Sequence, residues 1–390
     1  MLKEFIITIY LLCTRILFNL MKCFPKRQKY VFVSSFGDNV EYVAREVLHA
    51  ELGDVVILRS KRSRYPYDRL PRERVTFIQY DAMNPITYMK SMYHLATAKT
   101  VFVDNYFAFL SVMNFKKDVE CIQLWHAAGA IKRFGFEDPS NIGRPLAAYQ
   151  RFERVYARFH KIIVGSDEMA DVFQKAFNCS TDQFLTTGIP RTDFFHDEEA
   201  LQKAAAKVIS TYPQIADKKV VMYAPTFRRN QLEQPSIALD VKRMCEELGD
   251  DYIIFVRLHP AVSSKQSSFT HARVIDVSNY PVINDLLVVT DVLISDYSSL
   301  PYEFALLEKP QLFFAYDVES YSRESGFWHA YESVVPGPIV RSTDEIIQHI
   351  KTEHYNLNGI RAFSAKWNMY SNGKASKNII KYLTQKDETN

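Results

Sequence analysis

Two histidines are expected at the ends of predicted strands, where a side chain can reach a bound ligand. His126 follows the apolar run 121–125, and the small residues 127–129 leave space beside it. His259 follows the run 252–258 in the other half of the chain. A histidine in such a place can act as a base near neutral pH. A lone histidine is more often structural, but one in each half predicts a joint acid–base site.

Polar side chains that suit a phosphate group also follow predicted strands in the second half. Ser298 and Ser299 precede a helix that is expected to begin near Pro301, and the free amides and hydroxyls there could bind a diphosphate. The alternative is ordinary turn chemistry and a capped helix. The candidate polar site residues of this half are Thr226, Arg228, Arg257, Asp296, Ser298, Ser299 and Glu303.

The elements that must position these residues form two α/β halves. Short β-rich runs alternate with helical stretches, which predicts parallel sheets that bind ligands at the carboxyl ends of their strands. The predicted strands are 30–34, 55–58, 75–78, 100–104, 121–125 and 161–165 in the first half, and 219–224, 252–258, 273–277, 291–295 and 311–315 in the second.

Composition excludes several classes of protein. The 390 residues are 47% hydrophobic and 24% charged, so the chain is neither disordered nor collagen-like. A net charge of +3 does not suggest a dedicated nucleic-acid binder. The five cysteines form no CxxC pair, which argues against a zinc site or disulfide framework and favours a reducing compartment.

The N-terminal segment 1–27 predicts a helix on a membrane surface. Apolar residues fill 5–14 and 16–21, Arg15 interrupts them, and basic residues flank both sides. A spanning helix needs about 20 apolar residues with few charges, so a helix lying in the interface fits better. The alternative is an ordinary packed first helix. The basic segment 59–74 is either a solvated loop or a second contact with an anionic surface.

Five motifs in order resemble the CDP-glycerol glycerophosphotransferase family, which builds wall teichoic acid in Gram-positive bacteria. The resemblance spans about residues 98–335, and the form Trp-His-Ala-Ala-Gly at 125–129 is closer to the primase branch than to the polymerases. The motifs are WHxxGxxKxxG at 125–135, GxPRxD at 188–193, YAPTFR at 223–228, RLHP at 257–260 and SDYSSxxxE at 295–303.

The resemblance implies a GT-B architecture, with two Rossmann-like lobes and a central cleft. Residues 28–200 would form the acceptor lobe and residues 201–390 the lobe that binds CDP-glycerol. One sn-glycerol 3-phosphate would pass to a hydroxyl of an undecaprenyl-diphosphate-linked disaccharide of the ManNAc-GlcNAc type, with release of CMP. His126 would be the base, and His259 and the seven polar residues above would handle the donor.

Further expectations concern cofactors, partners and location. No DxD-like acidic pair follows a strand, so no metal and no cofactor are expected, and no nucleic-acid partner is expected either. The implied location is the cytoplasmic face of the cell membrane, as a peripheral protein, with a wall teichoic acid synthesis complex as a further partner. The alternatives are a chain-extending glycerol- or ribitol-phosphate transferase, a GT-B glycosyltransferase that uses a nucleotide sugar, and a non-catalytic scaffold in wall assembly.

Overall fold

The computed structural model describes residues 2–61, 63–226, 228, 237–258, 269 and 271–389. By internal packing the chain forms two units. The first comprises Met1–Ala127, Phe134–Asp193 and Met369–Asn390, and the second Ala128–Arg133 and Phe194–Asn368. The predicted division at residue 200 assigned the C-terminal 22 residues to the second lobe, whereas they pack with the first unit.

Each unit is built on a parallel sheet, as the alternating pattern predicts. In the described residues the first sheet has the order β3-β2-β1-β4-β5-β6-β7 and the second β10-β9-β8-β11-β12-β13. The strands are β1 Lys29–Ser34, β2 Asp54–Ser60, β3 Val75–Tyr80, β4 Thr100–Val103, β5 Glu120–Gln123, β6 Lys161–Ile163, β7 Phe184–Leu185, β8 Lys219–Tyr223, β9 Tyr252–Val256, β10 Val274–Asp276, β11 Val292–Ser295, β12 Gln311–Phe314 and β13 Ile339–Val340.

Helices cover the sheets and connect the strands. In chain order they are α1 Leu2–Met21, α2 Asp38–His49, α3 Pro85–Ala96, α4 Leu146–Tyr156, α5 Asp167–Phe177, α6 Glu198–Thr211, α7 Val241–Leu248, α8 Ile283–Val289, α9 Leu300–Phe304, α10 Val318–Ser325, α11 Tyr331–Val334, α12 Thr343–Thr352, α13 Leu357–Trp367 and α14 Ala375–Thr389.

The central strands are buried on both faces, which is why they read as continuous apolar runs rather than as alternating ones. All six residues of β1 are buried, and Phe32 stacks on Phe102 of β4 with ring centroids 4.7 Å apart. Strand order reverses beside β1 and β4 in the first sheet and beside β8 and β11 in the second. Ligands of open α/β sheets bind at such reversal points, beyond the carboxyl ends of the strands.

Several predicted strands end one or two residues earlier than the sequence pattern indicates. The difference is two residues for β5, β6 and β9, which end at Gln123, Ile163 and Val256 rather than at residues 125, 165 and 258. Trp125 has a left-handed φ of +54°, which a strand cannot contain. The short strands β7 and β13, of two residues each, carry too little pattern to be found in the sequence.

Helix α1 packs one face on the first unit. Leu11, Thr14 and Phe18 are buried, and Phe18 meets Phe115 edge to face at 5.7 Å. The Thr14 hydroxyl lies in hydrogen-bond contact with the hydroxyl of Tyr88 on α3. The helix is therefore a docked element of the first unit.

The opposite face of α1 is apolar and exposed. At about 100° per residue, the side chains of this stripe fall on one side of the helix, and Arg15 lies on its flank. Among the described residues, one helical window, Glu4–Met21, is long and apolar enough to cross a membrane, with a mean hydropathy of 1.6 and 17% of the window buried. The exposed stripe consists of Phe5, Ile9, Leu12, Ile16 and Leu20.

In the basic segment 59–74, described here without residue 62, most of the cations bind oxygen atoms of the chain itself. Its aromatic side chains at Tyr65 and Tyr67 are buried. These contacts favour an ordinary surface loop over a second contact with an anionic surface. The cations with an oxygen partner of the same unit are Arg59, Lys61, Arg69, Arg72 and Arg74.

Replacing Phe18 with Ala should destabilise the protein by about 3–5 kcal/mol, because the substitution leaves a cavity between α1 and the rest of the first unit. Urea denaturation followed by fluorescence measures the change. Ile16→Ala is the matched control: this side chain is 54% exposed, so the free energy of unfolding should change by less than about 0.5 kcal/mol. An unchanged midpoint for Phe18→Ala would show that α1 is not part of the cooperative unit.

Candidate active site

His126 lies just beyond β5, and its ring is oriented by a backbone carbonyl. The Nδ1 atom is 3.0 Å from the carbonyl oxygen of Asp104, the residue that follows β4. A carbonyl oxygen can only accept, so Nδ1 carries the proton of the neutral ring. The lone pair of the imidazole is then on Nε2, which makes Nε2 the basic position of the ring.

The imidazole of His126 is enclosed by aromatic rings. Phe36 stacks on it at 4.0 Å between centroids and 7° between planes, and Trp125 lies at 4.3 Å and 30°. Burial lowers the pKa of His126 from 6.5 to about 4, and the hydrogen bond to Asp104 only partly opposes this effect, while the Arg191 cation adds to it. The ring is therefore neutral at pH 7.

The turn that presents His126 is strained and locked. Trp125 holds its left-handed φ because its N–H donates to Oε1 of Gln123 at 2.9 Å. The Asn39 side chain donates to the carbonyls of Leu124 and Trp125, each at 3.0 Å, and accepts the N–H of Arg191 at 2.9 Å. Strain of this kind persists only where the surroundings over-determine it, and it is concentrated at functional sites.

Asp104 is a buried carboxylate whose role the sequence analysis missed. It accepts the backbone N–H groups of Ser35, Phe36 and Gly37 at 2.9–3.1 Å, and the Ser34 hydroxyl at 2.8 Å. Burial raises the pKa of this carboxyl, and the hydrogen bonds oppose the rise. The available signal was its position at the end of the predicted strand 100–104, in the sequence Val-Asp-Asn-Tyr at 103–106.

The second unit has a comparable carboxylate, Asp296, directly after β11. Its Oδ1 accepts the N–H of Thr226 at 2.8 Å, and its Oδ2 accepts Nη1 of Arg228 at 2.7 Å. Asp296 is buried, so these hydrogen bonds replace its hydration. The contact joins the YAPTFR turn to the SDYSSxxxE motif, two of the sites that the sequence analysis predicted.

Arg228 is bound on several sides by its own unit. Its Nε and Nη2 atoms donate to Asp317 at 2.8 and 3.0 Å, and the guanidinium lies over the rings of Tyr297 and Tyr321 at 5.0 and 4.8 Å. Burial raises the pKa of Asp317, but the Arg228 cation outweighs this effect and holds it below the usual value. These contacts fix the turn, and the predicted role of Arg228 at the donor phosphates stays a prediction.

Thr226, Ser298 and Ser299 are the hydroxyl residues at this edge of the second sheet. Oγ1 of Thr226 is buried and has no hydrogen-bond partner within the described residues. Oγ of Ser298 accepts the N–H of Leu300 at 3.2 Å, and both serines are half-buried. Ser298 and Ser299 keep part of their surface exposed and can donate to an anionic ligand, and the buried Oγ1 of Thr226 is a hydroxyl that no described residue uses.

Glu303 is buried in the second unit, and its Oε1 accepts the N–H of Ala128 at 3.0 Å. The next residue, Gly129, lies so close to Tyr302 that an added Cβ would be 2.0 Å from its ring. The glycine of the WHxxG motif is therefore required by packing. Glu303 holds the chain two residues beyond His126, and its predicted role at the donor stays a prediction.

Arg257 lies among the described residues and has partners in its own unit, whereas His259 does not belong to the described part of the chain. Nη1 of Arg257 donates to the carbonyls of Val277 and Tyr280 at 3.0 and 2.9 Å, which fastens the end of β9 to the loop that follows β10. His259 lies outside the described residues, so its predicted role stays a prediction.

Among the residues that the structure describes, no group of three or more His, Cys, Asp or Glu side chains is placed to hold a metal ion.

The GxPRxD motif has a structural function in the first unit. Gly188 has a φ of +85°, and an added Cβ would be 2.5 Å from the carbonyl oxygen of Tyr370. Asp193 accepts the N–H groups of Ala375 and Ser376 at 2.8 and 2.9 Å and thereby caps α14. This motif secures the C-terminal helix to the first unit.

Comparison with known proteins identifies the family. Residues 16–385 match the family described as CDP-Glycerol:Poly(glycerophosphate) glycerophosphotransferase. The chain belongs to this family. It is therefore a transferase that uses CDP-glycerol, and the five motifs of the sequence analysis identified the family correctly.

Two relatives from Bacillus spizizenii match at 37% identity. The teichoic acid glycerol-phosphate primase matches over 354 residues, 90% of this chain and 91% of the relative. The teichoic acid poly(ribitol-phosphate) polymerase matches over 301 residues, 75% of this chain but 47% of the relative. The predicted resemblance to the primase branch is confirmed at the level of sequence.

Among solved structures, the wall teichoic acid polymerase TagF matches with a TM-score of 0.81 and 22% identity, over 100% of this chain and 99% of that one. The predicted GT-B-like fold class, two Rossmann-like parallel-sheet units with an apolar N-terminal helix, is confirmed. Enzymes of teichoic acid synthesis work at the membrane.

The ring of His126 should remain neutral, with its proton on Nδ1, from about pH 8 down to about pH 5, and should charge only near pH 4. Histidine ¹⁵N spectra recorded across this range measure both properties, and a His126→Gln variant assigns the signal. Because the unfolded ring titrates at about 6.5, this site makes the fold less stable as pH falls from 6.5 towards 4. A ring that titrates near 6.5, or that carries its proton on Nε2, would contradict the assigned geometry.

Proposed function

We propose that this protein is a teichoic acid glycerol-phosphate primase. It would transfer one sn-glycerol 3-phosphate from CDP-glycerol to a hydroxyl of an undecaprenyl-diphosphate-linked disaccharide of the ManNAc-GlcNAc type and release CMP. The end-to-end match with a primase supports this proposal, since the polymerase named above extends well beyond the matched part. The Trp-His-Ala-Ala-Gly form of the first motif also favours the primase branch.

The observation that carries the proposed chemistry is the orientation of His126. With Nδ1 donating to the carbonyl of Asp104, Nε2 can take the proton from the acceptor hydroxyl. The hydroxyl oxygen then bonds to the phosphorus that bears glycerol. The bond from this phosphorus to the bridging oxygen breaks, and CMP leaves with that oxygen.

The low pKa of His126 leaves the unprotonated base fully populated at pH 7, although it also makes that base weak. Both substrates carry phosphate charge, and an anion near a histidine raises its pKa. Binding of the substrates would therefore strengthen the base at the moment when it is needed.

In the proposed donor site, the hydroxyls of Thr226, Ser298 and Ser299 bind the diphosphate of CDP-glycerol. Such hydrogen bonds stabilise the charge that develops on the departing CMP oxygen. Asp296, Arg228, Arg257 and Glu303 hold the loops that carry these groups, as their contacts within the second unit indicate. His259 is proposed to assist on the donor side.

The proposed location is the cytoplasmic face of the cell membrane, where the enzyme would be peripheral and could join a wall teichoic acid synthesis complex. The support is the exposed apolar stripe of α1 beside a docked face. Interfacial helices are held by the burial of such a face and by cations that reach the lipid phosphates, and Arg15 on the flank of the stripe is placed to do so.

A test of the primase proposal supplies CDP-glycerol and the lipid-linked disaccharide and weighs the product by mass spectrometry. One added glycerol phosphate is expected. A ladder of products would indicate the chain-extending transferase, and an absence of CMP release would favour the scaffold. In competition, CDP-glycerol should bind and UDP-sugars should not, which excludes a glycosyltransferase that uses a nucleotide sugar.

His126→Ala should reduce the single-turnover rate of CMP release by about 10²–10⁴-fold, because it removes the general base. Binding of CDP-glycerol, measured by calorimetry, should remain nearly unchanged. The reciprocal variant, Ser298→Ala with Ser299→Ala, should weaken donor use by roughly tenfold or more, as expected for lost charge-assisted hydrogen bonds. If His126→Ala lost donor binding and kept its chemical rate, the two histidines would exchange roles.

Replacing Ile9, Leu12 and Ile16 with Ser should lower the affinity of the protein for anionic vesicles by at least tenfold. The reason is that burial of each fully inserted apolar side chain contributes about 1.5–3 kcal/mol. Cosedimentation measures the binding. Deletion of 1–27 is a less clean test, since it also removes Leu11 and Phe18 from the packed interface. The matched control is Thr8→Ala with Asn19→Ala on the flank of α1, and undiminished cosedimentation of the triple variant would exclude this surface.

A further inference from the structure

The loop 35–37, which connects β1 to α2, is held around a single buried carboxylate. Asp104 accepts three successive backbone N–H groups, from Ser35, Phe36 and Gly37, at distances of 2.9–3.1 Å. The hydroxyls of Ser34 and Ser35 donate to it at 2.8 and 3.1 Å. Five donors on one carboxylate fix the loop in a single conformation.

The same loop supplies one wall of the His126 ring. Phe36 is 44% exposed, so burial in the core does not account for its position. It stacks flat on the imidazole, with 4.0 Å between centroids. The conformation of the loop therefore decides whether this ring covers His126 or moves away from it.

We infer that Asp104 is a positioning residue for the catalytic base. Its backbone carbonyl fixes Nδ1 of His126, and its carboxylate fixes the loop that holds Phe36 against the ring. A single residue thus sets both the in-plane orientation and the stacking of the imidazole. The inference rests on the proposed function of His126 as the base.

The geometry has a consequence for ligand binding in the first unit. Convergent backbone N–H groups at the start of a helix after β1 form a place that takes a phosphate in nucleotide-binding α/β folds. Here those groups point at the chain's own Asp104, so this place is filled by a protein carboxylate. In the first unit, the N–H groups after β1 therefore hold the loop beside the proposed base and are not available to bind a diphosphate.

Asp104→Asn tests the inference with a side chain of the same shape. An amide has one acceptor oxygen in place of two, so it cannot hold all five donors. The single-turnover rate of CMP release should fall by about 10- to 100-fold, the effect of a base displaced by about 1 Å, while CDP-glycerol binding measured by calorimetry stays unchanged. NMR spectra should show the proton still on Nδ1, because the carbonyl of residue 104 is unchanged, but the ring protons of His126 should lose the ring-current shift that the stacked Phe36 imposes.

A second variant keeps the test independent of folding. Phe36→Ala removes an exposed ring and leaves the Asp104 contacts in place, and it should lower the rate at saturating acceptor by tenfold or more. Phe36→Tyr, which preserves the stacking, should restore most of the rate. Asp291→Asn is the matched control, because Asp291 likewise accepts a backbone N–H, that of Val220 at 2.7 Å, but lies in the second unit. This substitution should leave the rate unchanged.

The outcomes separate the inference from the proposed function. Wild-type rates in Asp104→Asn or Phe36→Ala, in a protein that His126→Ala inactivates, would overturn the positioning role alone. A rise in the acceptor KM with an unchanged rate would also overturn it, because Phe36 would then be a binding surface. Full activity of His126→Ala would overturn the proposed function itself.

Discussion

Both parallel sheets depend on a buried carboxylate placed beyond the strand at the point where strand order reverses. Asp104 follows β4 beside β1, and Asp296 follows β11 beside β8. Each accepts backbone N–H groups from the loop after the neighbouring strand, Ser35 to Gly37 in one unit and Thr226 in the other. A charge at such a depth is tolerated only when hydrogen bonds replace its lost hydration, so the loops must adopt the conformation that supplies them.

The buried carboxylate has a different role in each unit. In the first unit the side chain of Asp104 holds a loop, and the backbone carbonyl of Asp104 orients His126. In the second unit Asp296 also binds Arg228, which Asp317 holds from the other side. Removing one member of a buried ion pair typically destabilises a protein by about 3–5 kcal/mol, so this cluster is a rigid frame for the serine and threonine hydroxyls beside it.

This division suits the proposed reaction between CDP-glycerol and a lipid-linked acceptor. A diphosphate requires hydrogen-bond donors that are not already used, and the hydroxyls proposed for it in the second unit are those of Thr226, Ser298 and Ser299. The base requires a neutral ring in a fixed orientation, and the first unit provides this by stacking and burial. Helix α1, with its exposed apolar stripe, belongs to the same unit as the proposed base.

The sequence by itself determined the class of fold, the family and most of the strands. Long apolar runs bounded by polar residues are a local signal, and β1 and β8 lie where that signal predicts them. The motifs were equally visible, because residue types and their order survive without knowledge of contacts. His126 was found in this way, as the polar residue directly after an apolar run.

Only the tertiary structure decided what the other polar residues contact within the chain. Arg228, Arg257 and Glu303 are predicted at the donor, and that role stays a prediction. The structure adds their contacts with Asp317, the carbonyls after β10 and the N–H of Ala128, all distant in sequence. Asp104 and Asn39 were missed because their contacts join the ends of different strands, which come together only when the sheet forms. A hydrogen bond depends on position and direction in space, and residue type and spacing along the chain do not specify either one.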